Sequence, residues 1–480
     1  MSEKKHNDSK KKKQINSNRE IIVLTYLFVG VFVCLLVYFG YFIQIDSPNV
    51  INNPYNKRQD LLAERVIRGK ILGNNGEILA ETKTDESGKE YRYYPFDRVF
   101  CHIVGRFDKG KTGIELSQSI HLLTSNENPF IAMMKEIKGE KNIGDNVVTT
   151  LDVNLQTIAY EALGNRKGAV VVLEPSTGKI LAMVSKSDYN PNTVSSSWDT
   201  LVADSAGEST LLNRATQGLY PPGSTFKILT ALEYIRENKN YKEYTYDCAG
   251  SDTYDGVTIN CYNNKVHGTE DLIQSFAKSC NSSFANIGMT LNLKSYHILC
   301  ESFLFNHELP IDLPYSKSSF VLDQNSNKNQ VPQTAIGQGD TQITPLHNAL
   351  ITATIANNGI MMKPYVVDHL ECYDGTTIKQ YKPEEYATLM DKTQVKALKK
   401  MMKAVVEDGT ATALKGQSYT AAGKTGSAEF DSSKSSHAWF VGYAPTKKPK
   451  IVVSIIVEGA GTGSAYAVPI AKKIMDAYLD

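Results

Sequence analysis

The sequence predicts an α+β fold, in which helices are segregated around an antiparallel sheet. Two apolar runs flank a Pro/Gly turn in the first half of the chain and predict a β-hairpin. Strand-like runs recur near the C-terminus, before an apolar-periodic helix, and helical stretches occupy the interval between the two sets of strands. The predicted strands are 169–173, 180–184, 438–443 and 451–457, and the predicted helices are 224–235, 270–278, 345–356, 392–406 and 465–479.

The N-terminal segment predicts a single membrane-spanning helix. Residues 1–20 are a basic tail, and residues 21–45 contain no charged side chain. A helix of that length would span about 37 Å, enough to cross a hydrocarbon core of about 30 Å. It is longer than the apolar stretch of a signal peptide, and no small-residue cleavage site follows it, so we expect it to be retained. Because lysines precede it, we expect a single-pass protein of the cell membrane with a cytoplasmic tail and residues 46–480 outside the cytoplasm.

The chain of 480 residues is long enough for at least two folded units. Residues 46–146 are polar and contain short β-like pieces on either side of a turn signal at 73–76. This pattern predicts a small, mostly β pedestal, a dimerisation-like N-terminal domain. The composition changes at Val147, which predicts that the second unit covers residues 147–480.

Charge and cysteine content narrow the choice of partners and cofactors. The 52 basic and 51 acidic residues leave a formal charge of +1, so no overall positive field favours nucleic acid as a partner. The seven cysteines contain no C-x-x-C pair and no Cys/His zinc spacing, so we expect no metal and no cofactor. Cys248 and Cys261 bracket a polar loop, and a disulfide between them, worth about 3 kcal/mol, is favoured over any other pairing. The alternative is that all the thiols are free.

A Ser-x-x-Lys motif opens the predicted helix 224–235. Ser224 follows Pro221-Pro222-Gly223, and Lys227 lies on the same helical face, where a neutral amine could take the serine proton. The N-terminus of a helix also favours developing negative charge. Four other Ser-x-x-Lys matches occur in the chain, and Ser224 could be a simple N-cap, so the motif alone is weak evidence.

Two further motifs follow in order. Ser279-Cys280-Asn281 lies at a break between predicted helices, where a hydroxyl and an amide could pass a proton and hold a polar substrate group. Lys424-Thr425-Gly426 precedes a predicted strand, and an edge strand there could present a cation and hydroxyls to a carboxylate. Both motifs have chance matches elsewhere, at 47–49 and 111–113. Their occurrence in this order within one α+β unit is uncommon and therefore informative.

This ordered trio resembles the penicillin-recognising serine acyl-transferases, with Cys280 in place of the central Asp of the family signature. The surrounding phrases resemble class B penicillin-binding proteins, which are monofunctional D,D-transpeptidases, here with a short pedestal. These phrases include 68–72, 75–80, 220–227, 337–339, 424–429 and 437–445. The resemblance covers the chain from about residue 64 to the C-terminus. It implies a transpeptidase domain over residues 147–480, with a helical subdomain beside the antiparallel sheet.

The resemblance implies a role for each residue of the first two motifs. Ser224 would attack the D-Ala-D-Ala carbonyl of a peptidoglycan stem peptide, release the last D-Ala and pass the acyl group to an amine on a neighbouring strand. Lys227 would be the base for acylation. Ser279 would relay protons, and Asn281 would hold Lys227 and a substrate amide.

The third motif would bind the substrate. The resemblance implies that Lys424, with the hydroxyls of Thr425 and Ser427, creates a favourable field for the terminal carboxylate. Gly426 would give the substrate room against the strand. The backbone N–H groups of Ser224 and Ser427 would form the oxyanion hole.

The implied partners are stem peptides as acyl donor and amine acceptor, β-lactams that acylate the serine, and a polytopic glycan polymerase of the shape, elongation, division and sporulation family. Two alternatives remain open. A D,D-carboxypeptidase or a β-lactamase would use the same residues with water as the acceptor, although the anchor, the pedestal and the Ser-x-Asn motif favour a transpeptidase. A non-catalytic scaffold for the polymerase would tolerate loss of Ser224 or Lys227, and both residues are present.

Overall fold

A computed structural model describes residues 2–42, 62–429 and 435–480, with side chains described from residue 19 onward. The helices are α1 Ser2–Tyr41, α2 Gly113–Ser117, α3 Ser119–Leu123, α4 Pro129–Lys138, α5 Val153–Leu163, α6 Val194–Ala203, α7 Lys227–Glu237, α8 Leu272–Ala277, α9 Asn281–Thr290, α10 Leu293–Ser302, α11 Val331–Ala335, α12 Pro345–Ala356, α13 Lys392–Glu407 and α14 Gly463–Leu479. The strands are β1 Val66–Ile67, β2 Ile71–Leu72, β3 Ile78–Thr84, β4 Glu90–Tyr93, β5 Asn142–Ile143, β6 Asn146–Thr149, β7 Gly168–Leu173, β8 Ile180–Lys186, β9 Thr245–Cys248, β10 Ser251–Tyr254, β11 Val257–Asn260, β12 Gly268–Asp271, β13 Ile360–Met362, β14 Val367–Glu371, β15 Thr377–Gln380, β16 Glu385–Thr388, β17 Ala422–Ala428, β18 His437–Ala444 and β19 Ile451–Val457.

Helix α1 belongs to a unit of its own, residues Met1–Leu61. Within it, Arg19–Tyr41 is long and apolar enough to cross a membrane. The large apolar side chains of this stretch are all exposed, which suits a helix whose surface faces lipid instead of a protein core. The predicted span 21–45 therefore agrees with the helix as far as Phe42, and its last three residues lie outside the described part of the chain.

The second unit, Leu62–Asp480, contains a six-stranded sheet in the order β15-β14-β6-β2-β3-β4. Strand β6 pairs in parallel with β2 and antiparallel with β14. The sheet thus joins strands from both sides of position 147. The division into a pedestal of residues 46–146 and a catalytic domain of residues 147–480 stays a prediction.

Beside this sheet a buried carboxylate lies between two arginines. Glu115 Oε2 is 2.7 Å from Arg68 Nε, and Glu115 Oε1 is 2.6 Å from Arg92 Nε. Burial alone would raise the pKa of Glu115, but the charges of Arg92 and Arg68 more than offset it and hold the pKa below its ordinary value. This ion triad ties β4 and the segment before β2 to helix α2.

A five-stranded sheet in the order β17-β18-β19-β7-β8 forms the centre of the second unit, and all its neighbours are antiparallel. Every residue of β7, β8, β18 and β19 is buried. Helix α12 packs against β7, β18 and β19, and helix α14 packs against β17, β18 and β19, so helices cover the sheet. The predicted α+β class is confirmed, and β17 is left as an edge strand.

Helices α6–α13 and strands β9–β16 lie between β8 and β17 in the chain, and the second motif lies between α8 and α9. The helix predicted at 270–278 is shorter in the structure, because Gly268–Asp271 form β12 and pair with β9. Asp271 then caps α8 by accepting a hydrogen bond from the Gln274 N–H, while the Gln274 side chain bonds back to Asp271. The break between α8 and α9 falls at the Ser279-Cys280 pair.

Candidate active site

Ser224 lies in a single 3₁₀ turn, Gly223–Thr225, that leads directly into α7. Gly223 has a φ of +53°, and a Cβ there would lie 2.9 Å from the carbonyl oxygen of Ser427, so the turn packs closely against β17. Thr225 Oγ1 donates to the Pro222 carbonyl at 2.8 Å and accepts from Asn348 Nδ2 at 3.1 Å. These contacts fix the position of the half-buried Ser224 relative to the edge strand.

Lys227 lies beneath this turn with a fully buried side chain. Its Nζ donates to the Ser279 carbonyl at 2.8 Å and to Asn281 Oδ1 at 2.7 Å, and lies 3.4 Å from Ser279 Oγ. Burial lowers the pKa of Lys227 to about 8. About one tenth of the Lys227 side chains are therefore neutral at pH 7, the form that a general base requires.

Ser279 occupies the break between α8 and α9 with a φ of +62°, an uncommon conformation for a residue other than glycine. Its hydroxyl accepts a hydrogen bond from Lys424 Nζ at 2.8 Å. Burial, and next the neighbouring charge of Lys227, hold the pKa of Lys424 well below its ordinary value. The Ser279 hydroxyl therefore bridges two buried amines, which is the geometry of a proton relay.

The third motif lies on the edge strand β17. Lys424 is fully buried, while Ser427 is half-buried. Thr425 Oγ1 lies 2.5 Å from Thr410 Oγ1. A Cβ on Gly426 would be 3.0 Å from Trp439 Cβ and 3.2 Å from the Pro222 carbonyl oxygen, so a side chain there would require these neighbours to shift by a few tenths of an ångström.

One cavity of about 720 Å³ collects the exposed groups of all three motifs. It is lined by, among others, Ser224, Ser279, Asn281, Thr425, Gly426 and Ser427. A second cavity of about 950 Å³ adjoins it and shares Asn281, Gln338 and Glu429 with it. The two cavities therefore adjoin along these shared residues.

Sequence reasoning assigned no role to Thr410 or Gln338, which line these cavities. Thr410 contacts Thr425 from outside every motif, and nothing in its local sequence marks it. Gln338 lies between two glycines with positive φ, at +79° and +75°, and this conformational signal accompanies the Gly337-Gln338-Gly339 phrase. Among the chance matches to the motifs, the Ser-x-x-Lys match at Ser176 lies in an exposed turn, and the Ser-x-Asn match at 47–49 lies outside the described residues.

The predicted disulfide is not formed: Cys248 and Cys261 are free thiols, with sulfurs 3.6 Å apart. A third sulfur, that of Cys280, lies 3.7 Å from Cys261, so Cys261 sits between two thiols instead of bonding to one. His267 completes a group of four possible metal ligands, whereas the sequence spacing indicated none. We call these residues the Cys/His cluster: Cys248, Cys261, His267 and Cys280.

Comparison with known proteins places this site in a family. A family model described as the penicillin binding protein transpeptidase domain matches residues 168–476. The chain is 32% identical over 461 residues to the peptidoglycan D,D-transpeptidase PbpA of Mycolicibacterium smegmatis, covering 89% of this chain and 92% of that protein. It is 28% identical to the peptidoglycan D,D-transpeptidase MrdA of Haemophilus influenzae, covering 90% and 71%.

The fold agrees with a solved structure of the same kind. The penicillin G acyl-enzyme complex of penicillin-binding protein A from M. tuberculosis superposes with a TM-score of 0.78 at 30% identity, over 86% of this chain and 99% of that one. With the family model matching more than half of the chain, the chain belongs to the penicillin-binding protein transpeptidase family, in its class B.

Proposed function

We propose that this chain is a serine-type peptidoglycan D,D-transpeptidase whose acyl-enzyme forms on Ser224. The observation that carries the proposal is the hydrogen-bonded set of Lys227, Ser279 and Lys424, in which both amines are buried and Ser279 lines the cavity onto which Ser224 opens. A scaffold would have no need to bury two amines at a cost in desolvation. β-Lactams would acylate the same serine of this chain; the solved relative is itself a penicillin G acyl-enzyme complex.

In the acylation step that we propose, each of these groups has one role. Ser224 Oγ attacks the carbonyl carbon of the D-Ala-D-Ala bond, and neutral Lys227 accepts the hydroxyl proton. The tetrahedral intermediate collapses, the C–N bond breaks, and the departing D-Ala nitrogen receives a proton relayed from Lys227 through Ser279. The products of this half-reaction are an ester on Ser224 and free D-Ala.

Deacylation reverses the same path with a different amine. An acceptor amine on a neighbouring stem peptide enters, attacks the ester and loses a proton to Lys227, while Ser224 recovers its hydroxyl hydrogen. Two adjoining cavities, one of them lined by Ser224, support this proposal because they offer room for a donor and an acceptor peptide.

Strand β17 is proposed to bind the substrate along the edge that pairs with no other strand of the five-stranded sheet. Lys424, with the hydroxyls of Thr425 and Ser427, would create a favourable field for the terminal carboxylate, and Gly426 leaves space for the peptide beside β17. Backbone N–H groups of Ser224 and Ser427 would stabilise the oxyanion, commonly worth about 3 to 4 kcal/mol per donor. Asn281 holds Lys227 and would contact a substrate amide.

Fluorescent penicillin tests the assignment of Ser224. Full-length protein in detergent is expected to form a covalent adduct on a denaturing gel, and Ser224→Ala is expected to form none. Ser176→Ala is the matched control, because Ser176 begins another Ser-x-x-Lys match in an exposed turn. Label on Ser224→Ala, or no label on folded wild-type protein, would contradict the proposal.

A second assay separates a transpeptidase from the hydrolytic alternatives. Purified protein is given a stem pentapeptide ending in D-Ala-D-Ala together with an amine acceptor, and the products are identified by mass. We expect the aminolysis product to exceed the hydrolysis product. A product that consists only of the shortened peptide would instead indicate a D,D-carboxypeptidase.

Helix α1 is also proposed to anchor the protein with its basic tail in the cytoplasm and its catalytic part outside, as the lysines before the apolar stretch favour. With the pedestal it is proposed to pair with a polytopic glycan polymerase of the shape, elongation, division and sporulation family. Co-purification of the polymerase with full-length protein, compared with a chain lacking residues 1–63, tests this pairing. Equal recovery of the polymerase would exclude it.

A further inference from the structure

Helix α4, Pro129–Lys138, turns its apolar face away from the protein body. Phe130, Met133, Met134 and Ile137 recur at helical spacing and therefore share one face. Their exposed fractions are 69%, 55%, 41% and 69%, and no residue of the helix is buried. In an ordinary surface helix this face would pack on the core. An apolar face held outward in this way marks an interaction surface.

The opposite face of α4 holds the helix on the body. Lys135 Nζ lies 2.5 Å from Glu127 Oε1, and the Glu127 side chain is only 1% exposed. The same ammonium lies 4.9 Å from the centre of the Tyr373 ring. At 100° per residue, Lys135 is about 150° around the helix from the middle of the apolar face. These contacts fix the rotation of α4, so the fold itself directs the apolar face outward.

Helix α4 lies where the chain enters the second unit after α1. Strand β5 begins at Asn142, just after α4 ends, and pairs in parallel with β1, where Val66 is opposite Asn142. Lys141 Nζ donates to the Ala63 carbonyl at 3.2 Å. The first described residues of this unit therefore lie beside the segment that follows α4.

The length of chain before this entry point limits how far α4 can lie from a membrane. Residues 43–61 separate the two described segments, and nineteen residues span at most about 65 Å. If α1 crosses a bilayer, α4 stays within reach of the bilayer surface. Contact between α4 and lipid is then an intramolecular event, so a modest intrinsic affinity is enough to sustain it.

The size of the apolar face fits lipid better than a protein partner. Ten residues make a helix about 15 Å long, so a face about 10 Å wide covers about 150 Å². Stable protein interfaces bury about 800 Å² on each partner. An interfacial helix needs only one apolar stripe, buried about 5–10 Å into the boundary between headgroups and acyl chains.

We propose that α4 inserts its apolar face into the surface of the bilayer that α1 crosses, as a second attachment of the chain to lipid. The inference rests on the proposed anchor and does not depend on the chemistry at Ser224. Residues 127–141 contain three glutamates and three lysines, so their formal charges cancel. Apolar burial would therefore supply the affinity, and anionic lipid would not be required.

Photolabelling from the lipid tests the insertion in the full-length protein. The protein is placed in nanodiscs of phosphatidylcholine that carries a diazirine on an acyl chain, irradiated, and mapped by peptide mass. We expect adducts on α4 as well as α1, and none on α6, where Val202 is an exposed apolar side chain of another helix. Partial replacement by phosphatidylglycerol should leave the yield on α4 unchanged. Adducts confined to α1, equal labelling of α6, or adducts that require anionic lipid would each overturn the proposal.

The double variant Phe130→Ser with Ile137→Ser tests the face itself. Both side chains are exposed, so the thermal unfolding temperature and the rate of fluorescent penicillin labelling are expected to stay unchanged. Lipid adducts on α4 are expected to fall about tenfold, whereas the control Val202→Ser should keep them. Unchanged adducts in the double variant, or cross-links from wild-type α4 to a second protein chain in place of lipid, would overturn the proposal. Wild-type protein with lipid adducts on α4 but no penicillin label would support the insertion and contradict only the transpeptidase assignment.

Discussion

The pH dependence of Ser224 acylation tests Lys227 as the base. The second-order acylation constant reports the ionisation of the free enzyme, and only neutral Lys227 can accept the serine proton. With a pKa of about 8, the neutral share is about one tenth at pH 7, one half at pH 8 and nine tenths at pH 9. The constant should therefore rise roughly fivefold from pH 7 to 8 and less than twofold from pH 8 to 9.

The assay follows adduct formation with excess fluorescent penicillin on denaturing gels between pH 6 and 10, with thermal unfolding at each pH to verify that the protein stays folded. Lys227→Arg is the control, because a guanidinium stays protonated throughout this range. It should lose about 10²- to 10⁴-fold in rate, the usual contribution of a general base. An acylation constant that is flat or falling between pH 7 and 9 would refute the assignment.

Two further substitutions test the packing that supports the site. Glu115→Gln removes the anion between two buried guanidinium groups and should lower the free energy of unfolding by about 3–5 kcal/mol in urea titrations; a loss below about 1 kcal/mol would show that the triad is not stabilising. Gly426→Ala places a Cβ 3.0 Å from Trp439 Cβ and 3.2 Å from the Pro222 carbonyl oxygen. It should displace β17 from the Ser224 turn and slow penicillin acylation about 10- to 100-fold in a folded protein, whereas an unchanged rate would mean that the strand has room for a side chain.

The central sheet was predictable because its strands are buried on both faces. Such strands give uninterrupted apolar runs, and the predicted hairpin 169–173 and 180–184 matches β7 and β8 closely. Strand β15 gave no such signal, because all its residues are exposed. The pairing of β6 with β14 joins segments about 220 residues apart, which no local pattern contains.

The candidate active site, like the fold, was predictable only in part. The three motifs are short and local, so the sequence predicted that Ser224, Ser279 and Lys424 act together. Their geometry depends on contacts that are distant in sequence, since the positive φ of Ser279 and the burial of both amines follow from packing. The Cys/His cluster was missed for the same reason, because twelve, five and twelve residues separate its successive members.

The two buried amines are close enough for their charges to interact. Both lie within 3.4 Å of Ser279 Oγ, so they are at most about 6 Å apart, and two full charges there would repel by about 3 kcal/mol at an effective dielectric of 20. Burial, and next the charge of Lys227, hold the pKa of Lys424 well below its ordinary value, and burial lowers the pKa of Lys227 to about 8. A permanent charge at position 424 would therefore favour the neutral form of Lys227.

Substitution of Lys424 tests whether the two buried amines titrate as a coupled pair. Lys424→Arg carries a permanent charge, which should lower the pKa of Lys227 and move the rise of the acylation constant about two pH units lower. Lys424→Met should keep the rise near pH 8, since it adds no charge, while lowering the rate at every pH. The pH profiles of both variants are measured with the gel assay used for Lys227. A Lys424→Arg profile that stays in place or moves to higher pH would mean that the two amines titrate independently.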